Sequence, residues 1–350
     1  MKRKCLYLII FAIVVALGLY TYNNIIALIW ILLCLLLGSF VTCFYILNYL
    51  VKKTNWWNNK FCYTKKFCSN LGYRTYWVRN LDIVNVGSNP ALFAFYYENI
   101  LGENWSSGTQ GLNMDFEILK YRHSFLKDGA YVLIPFVLFS SISEYLNSKS
   151  GYRSADYYVK YLRIIDYQQI TKLPCGRDIF KYNRYPLFYN FKSLKYLIKD
   201  VEPNHLMDVT SQTLSLAEMQ YSADVFINGW KKEFDIKNLK QPLNNILQDA
   251  MKKTAKIVIE MIDFLEERGY KPIFVFPPMS ESLYEKIPSQ TLQYYVYDFL
   301  KLINKPEVPF LDYSQKEELR NNKYFFNSLF MNLEGRRIFT RQVLEDLKLK

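Results

Sequence analysis

Residues 82–93 read DIVNVGSNPALF, where an apolar run meets Gly87-Ser88-Asn89 and Pro90 then opens a helix. A serine at such a strand-to-helix corner can attack an ester, provided a neighbouring base takes its proton. Ser88 is the hydroxyl available for that chemistry. The same residues also make a helix start with no chemistry at all. Ser or Asn accepts the first free N–H groups, and Pro suits the first helical position.

Other side chains could assist. Glu98, Glu103 and Asp115 flank the expected mouth of the fold, where carboxylates could do acid/base work. The chain has two histidines, His123 on a helix and His205 in the loop-like stretch EPNHLMD. The stretch SSGTQG (residues 106–111) could offer backbone N–H groups to a phosphate at a helix start, although it lacks the Lys-Ser/Thr ending of a P-loop. Six cysteines are present, three of them (Cys5, Cys34, Cys43) in apolar runs, and Cys62, Cys68 and Cys175 have no partners at metal-site spacing. No metal and no cofactor is expected.

The elements that would hold this corner alternate between strand and helix. Leu81–Val86 reads as a buried strand, Pro90–Glu98 as a helix, 102–111 as a loop and Asn113–Leu126 as a helix. Ala130–Phe139 is a second buried strand. Later come a long amphipathic helix over Leu247–Arg268 closed by Gly269, a strand at Pro272–Phe276 and a helix at Ser289–Asn304. A short strand at Val308–Leu311 and a helix over Asn332–Leu347 complete the pattern. Continuous apolar strands alternating with helices imply a parallel sheet covered on both faces. The Tyr-, Lys- and Asn-rich middle, about 145–245, reads as a helical insertion with fragments at Ser154–Ile165 and Leu214–Asp224.

In this order of elements the chain resembles the SGNH/GDSL hydrolase superfamily, nearest its membrane-anchored envelope members. The resemblance covers about 81–140 and 247–347 and rests on placement more than on identities. It implies an α/β, flavodoxin-like, mostly parallel sheet with helices on both faces. It also implies a cleft formed by Gly87, Ser88, Asn89, Gly108 or Gly111, the 139–143 segment with Ser140, and the stretch from Asn327 to Phe330. The family's nucleophilic serine falls on Asn89, its acid on Asn327 and its base on Phe330, inside YFFNSLFMNLEGRRIFT. Asn and Phe supply neither nucleophile nor base, so the family triad cannot operate here. A substitute site would have to use Ser88.

The first 50 residues are a different material. Cys5–Tyr20 and Ile25–Leu50 are apolar, the second run exceeding the roughly 20 residues that cross a bilayer as a helix, and Asn23-Asn24 suit a turn between them. Residues 1–80 carry ten basic and no acidic side chains, whereas the remainder carries 34 basic and 32 acidic ones. Basic flanks stay in the cytoplasm. The expected organisation is a transmembrane hairpin at 1–50, a basic aromatic juxtamembrane segment at 51–80, and an α/β domain at 81–350 on the cytoplasmic side of the cell membrane. Its expected partners are membrane lipids, a glycan or lipid-linked glycan, and proteins of a membrane complex, with no nucleic acid. Two functions compete. One is an esterase or acyltransferase acting on O-acyl groups in cell-surface polysaccharide biosynthesis. The other is a catalytically inactive relative that binds a glycan or scaffolds a complex. A reporter fused after Lys350 is expected to behave as cytoplasmic; strong activity of an export-dependent reporter there would refute the hairpin.

Overall fold

The computed structural model describes residues 13–15, 17, 25–57, 78–148, 184–201 and 213–349. These fall into two compact units: Met1–Asn58 with Asp178–Glu202, and Asn59–Arg177 with Pro203–Lys350.

The first unit is built on helix α1 (Ile25–Val51), which contains the one helix long and apolar enough to cross a membrane among the described residues. Two such helices were expected. The first expected span, Cys5–Tyr20, lies for the most part outside the described residues, so one is what the structure supports. Residues 184–201, from the stretch read as an insertion, belong to this unit. Its helical turns Pro186–Tyr189 and Phe191–Leu197 pack on the C-terminal end of α1.

The second unit is an α/β domain around a five-stranded parallel sheet. Its strands are β1 (Leu81–Asn85), β2 (Gly102–Asn104), β3 (Leu126–Pro135), β4 (Lys271–Phe276) and β5 (Phe310–Asp312), in the order β2-β1-β3-β4-β5. This is the flavodoxin-like doubly wound order, which reverses direction between β1 and β3. The principal helices are α2 (Asn89–Leu92), α3 (Leu112–Arg122), α4 (Leu216–Glu233), α5 (Asn245–Glu266), α6 (residues 289–303, with a π turn at Gln293–Tyr297) and α7 (Leu333–Asp346). Strand alternation sends Ile273 and Val275 to one face, where they pack with Phe339, Val343 and Leu344 of α7. On the other face Phe274 stacks on Phe136, which meets Phe299 of α6. The apolar stripe of α5, including Val258, Met261 and Ile262, is fully buried beside β4.

The boundaries depart from expectation where polar side chains intervene. The 102–111 loop contains edge strand β2, whose sequence Gly-Glu-Asn gives no apolar signal. The helix expected over Pro90–Glu98 stops at Leu92. The Asn104 amide donates to the carbonyls of Ala91, Leu92 and Phe95, and α7 takes the next groups. Arg336 donates to the Phe95 carbonyl at 2.6 Å, and the Tyr96 N–H donates to the Thr340 hydroxyl at 2.8 Å. The second strand lies at Leu126–Pro135 rather than Ala130–Phe139, with a register shift near Gly129 (φ 72°). The expected fragment at Ser154–Ile165 lies outside the described residues.

Helix α7 begins at Asn332, whose side chain accepts from the Gly335 N–H at 2.9 Å. A Cβ on Gly335 would sit 2.3 Å from the Tyr324 carbonyl oxygen. Alanine is the better helix former by about 1 kcal/mol, but backbone cannot yield as a side chain does. Gly335→Ala is therefore expected to destabilise the domain by about 1–3 kcal/mol, read as a lower denaturation midpoint. A raised midpoint would show that helix propensity wins.

Candidate functional site

A cleft of about 440 Å³ opens at the carboxyl ends of β1, β3 and β4, beside the point where the strand order reverses. Open parallel sheets bind ligands at this place, because the connections on either side diverge there. Gly87, Ser88 and Asn89 line it from β1; Thr109, Gln110 and Gly111 approach from the loop before α3; Val137 to Ser140 follow β3. Leu329 and Phe330 close the side next to α7, and Val225, Phe226 and Trp230 of α4 form the remaining wall.

The corner at Gly87 is held from beneath. Its φ of 122° suits glycine alone, and a Cβ would fall 2.7 Å from that of Ala91. The buried Asp115 carboxylate accepts from the Gly87 N–H at 2.9 Å and from the Gln110 amide at 2.5 Å. Gln110 also donates to the Trp105 carbonyl, and the Ser107 N–H donates to the Gly87 carbonyl at 3.0 Å. The Asp115 charge beside 106–111 opposes a bound phosphate, which disfavours that use of the loop.

Below the corner lies a buried polar cluster. The Asn85 amide donates to Asn104 Oδ1 at 2.9 Å and to the Ser106 hydroxyl at 2.7 Å, and its oxygen accepts from the Tyr97 hydroxyl at 3.0 Å. Burial pushes the Tyr97 phenol well above its ordinary value, which keeps it protonated as a donor.

Seven of the sequence candidates share the cleft: Gly87, Ser88, Asn89, Gly111, Asp115, Ser140 and Phe330. Gly108 sits behind it, where a Cβ would lie 2.9 Å from the Asn89 side-chain oxygen. Asn327 also sits behind it and serves as a turn. Its Oδ1 accepts from the backbone N–H groups of Leu329 (3.0 Å) and Phe330 (2.8 Å). Ser140 likewise closes a turn, its hydroxyl accepting from the Val137 N–H at 3.0 Å. Ser88 caps α2 by position, without a side-chain hydrogen bond to the helix.

Of the groups that could activate Ser88, His123, Glu98 and Glu103 do not line the cleft. His123 stands at the opposite, amino-terminal edge of the sheet, edge-on to Phe264. Burial and then the Arg268 charge lower its pKa. His205 lies outside the described residues. Glu98 pairs with Arg337 at 2.9 Å, and Glu103 accepts from the Trp105 indole at 2.8 Å. Among the described residues the carboxylates at the cleft are Asp115 and Glu233, and no histidine lines it.

No protein-family model matches the chain, and no curated protein matches it.

Phe330 stacks on Phe93 at 5.1 Å and meets Phe226 edge-on at 5.6 Å. Trp230 reaches Phe139 at 5.3 Å. These aromatic groups were not all legible beforehand. The Phe226–Trp230 wall was missed because α4 was read as ending at Asp224. Its signals were the capping box of Ser215 and Glu218 and the i,i+4 spacing of the two aromatics. No group of three or more His, Cys, Asp or Glu side chains that could hold a metal occurs among the described residues.

Removing the Asp115 carboxylate strands two buried donors. Asp115→Ala is expected to lower stability by about 1–3 kcal/mol, measured by denaturant unfolding in detergent. Asp115→Asn, which keeps an acceptor oxygen, should lose less. An alanine variant as stable as the parent would show that the corner does not depend on this carboxylate.

Proposed function

We propose that the α/β domain is a non-catalytic member of the SGNH type, held at a membrane by α1, whose cleft binds a glycan or an O-acylated glycan precursor. The observation that carries this reading is Phe330. The Asn327 turn delivers to the cleft wall, where the resemblance expects a base, a ring that cannot accept a proton. The Gly87 N–H and the Gln110 amide, which could have met a developing oxyanion, are engaged with Asp115. What remains is a recognition surface: aromatic faces at Phe226, Trp230 and Phe330, with Ser88, Asn89 and Thr109 beside them. A mostly apolar cleft with a few convergent polar groups is the usual form of a small-ligand site, and this one falls within the customary 300–1,000 Å³.

On this reading the domain lies on the cytoplasmic side and serves surface-polysaccharide assembly as a binding or scaffold component. The basic flanks support the orientation, and the resemblance supports the pathway. Two measurements test it. Wild-type protein should not be labelled by a fluorophosphonate, and Asn89→Ser alone should not create labelling, because Phe330 still provides no base. Calorimetric titration with O-acetylated and unacetylated oligosaccharides should detect binding that Trp230→Ala weakens by about 10–100-fold. Labelling that disappears in Ser88→Ala would replace this reading with the hydrolase. Titrations without heat at any oligosaccharide would remove the glycan.

A further inference from the structure

Helix α1 has 27 residues, about 40 Å at 1.5 Å per residue. A bilayer's hydrocarbon core is about 30 Å thick. The apolar span of α1 runs Leu28–Val51, so the exit of the helix, from Lys52 to Trp57, stands at headgroup depth. Residues 184–201 pack against the last turns of α1 and against this exit. Tyr185 and Phe188 lie 5.8 and 5.2 Å from the Phe44 ring, and the Leu187 N–H donates to the Asn48 side chain at 3.0 Å. At the helix exit the Asp200 carboxylate accepts from the backbone N–H groups of Asn55 (2.5 Å) and Trp56 (3.1 Å). Trp56 stacks on Tyr196 at 5.1 Å and 12°. The segment thus runs alongside the end of α1, and its 191–201 part reaches the helix exit.

Its helical turn Phe191–Leu197 is of the 3₁₀ type, in which residues three apart share a stripe. Ser193 and Tyr196 form one stripe, with Ser193 fully buried and Tyr196 against Trp56. Phe191, Leu194 and Leu197 form a second, apolar stripe, and Lys192 and Lys195 a third, basic one. Phe191 is 70 % and Ile198 93 % exposed. Among the described residues this unit carries six cations (Lys52, Lys53, Arg184, Lys192, Lys195, Lys199) and one acid, Asp200, which is engaged with the α1 exit. Exposed Phe191 and Ile198 beside exposed lysines, on a segment whose Tyr196 stacks on Trp56 at the helix exit, fit a surface that is apolar below and anionic above.

We infer that residues 184–201 are a second membrane-contacting element, which inserts Phe191 and Ile198 into the bilayer interface and binds anionic lipid headgroups through Lys192, Lys195 and Lys199. The apolar side chains gain by leaving water, and each lysine near an anionic surface gains further. The inference rests on α1 crossing a bilayer, as proposed above, and not on what the cleft binds.

The test uses the full chain in phosphatidylcholine nanodiscs with a photoreactive benzoylphenylalanine at position 37, 191 or 198. Position 37, in the middle of α1, reports whether the helix spans the bilayer. Lipid adducts from all three positions are expected. The yield at 191 and 198 should rise several-fold when phosphatidylglycerol replaces a third of the lipid, and the combined Lys192→Gln, Lys195→Gln, Lys199→Gln substitution should abolish that rise. Adducts at 37 without any at 191 or 198 would overturn the inference and leave the anchor intact. No adduct at any position would overturn the anchor itself. A yield indifferent to lipid charge would remove the anionic headgroups.

Discussion

Asn85 ends β1 fully buried, and its amide takes its partners from the protein. Tyr97 donates to its oxygen, while Asn104 and Ser106 accept from its nitrogen. Asn104 in turn donates to the carbonyls of Ala91, Leu92 and Phe95, and Ser106 to that of Val86. Each buried polar atom left without a partner costs about 1–3 kcal/mol, so this group forms as a whole or not well at all. It ties the ends of β1 and β2 to the chain after α2. That chain is then gripped from outside by Arg336 and Thr340 of α7. Gly87 leaves the cluster at a fixed angle, and the cleft follows from it.

The layered domain was legible wherever burial is written as periodicity. The stripe of α5, the Asn332 start of α7 and the apolar run of β4 all speak through spacing, and their structures follow to within a few residues. Elements stabilised by side-chain amides were not legible. Strand β2 reads as a polar loop because Asn104 works on backbone carbonyls rather than in an apolar core. The premature end of α2 has the same cause. Residues 184–201 were opaque for another reason: their partners lie about 140 positions away on α1, and no local pattern encodes a distant helix end.

The candidate site was legible as a place and less so as a composition. The order of strands and helices brings Gly87, Ser88, Asn89 and Phe330 to one cleft, as doubly wound sheets do at their switch point. Side-chain identity then decides what the place can do. Asn327 keeps the geometry of a turn, and Asp115 engages donors that could have faced a ligand. The aromatic wall comes from α4, between the two halves of the sheet in sequence, where the sheet pattern gave no guidance.

Strand β3 is the hub of the sheet, flanked by β1 and β4. Its partner β4 arrives only at Lys271, about 135 residues after Pro135. At a synthesis rate of roughly 5–20 residues per second that interval is about 7–27 s. During it, the first three strands exist with one flank of β3 unpaired, while α1 has already left the ribosome. An open strand edge is a template for pairing with other chains. The nascent protein therefore passes through a lengthy window in which that edge is open to other chains, and shielding it during translation would protect the chain.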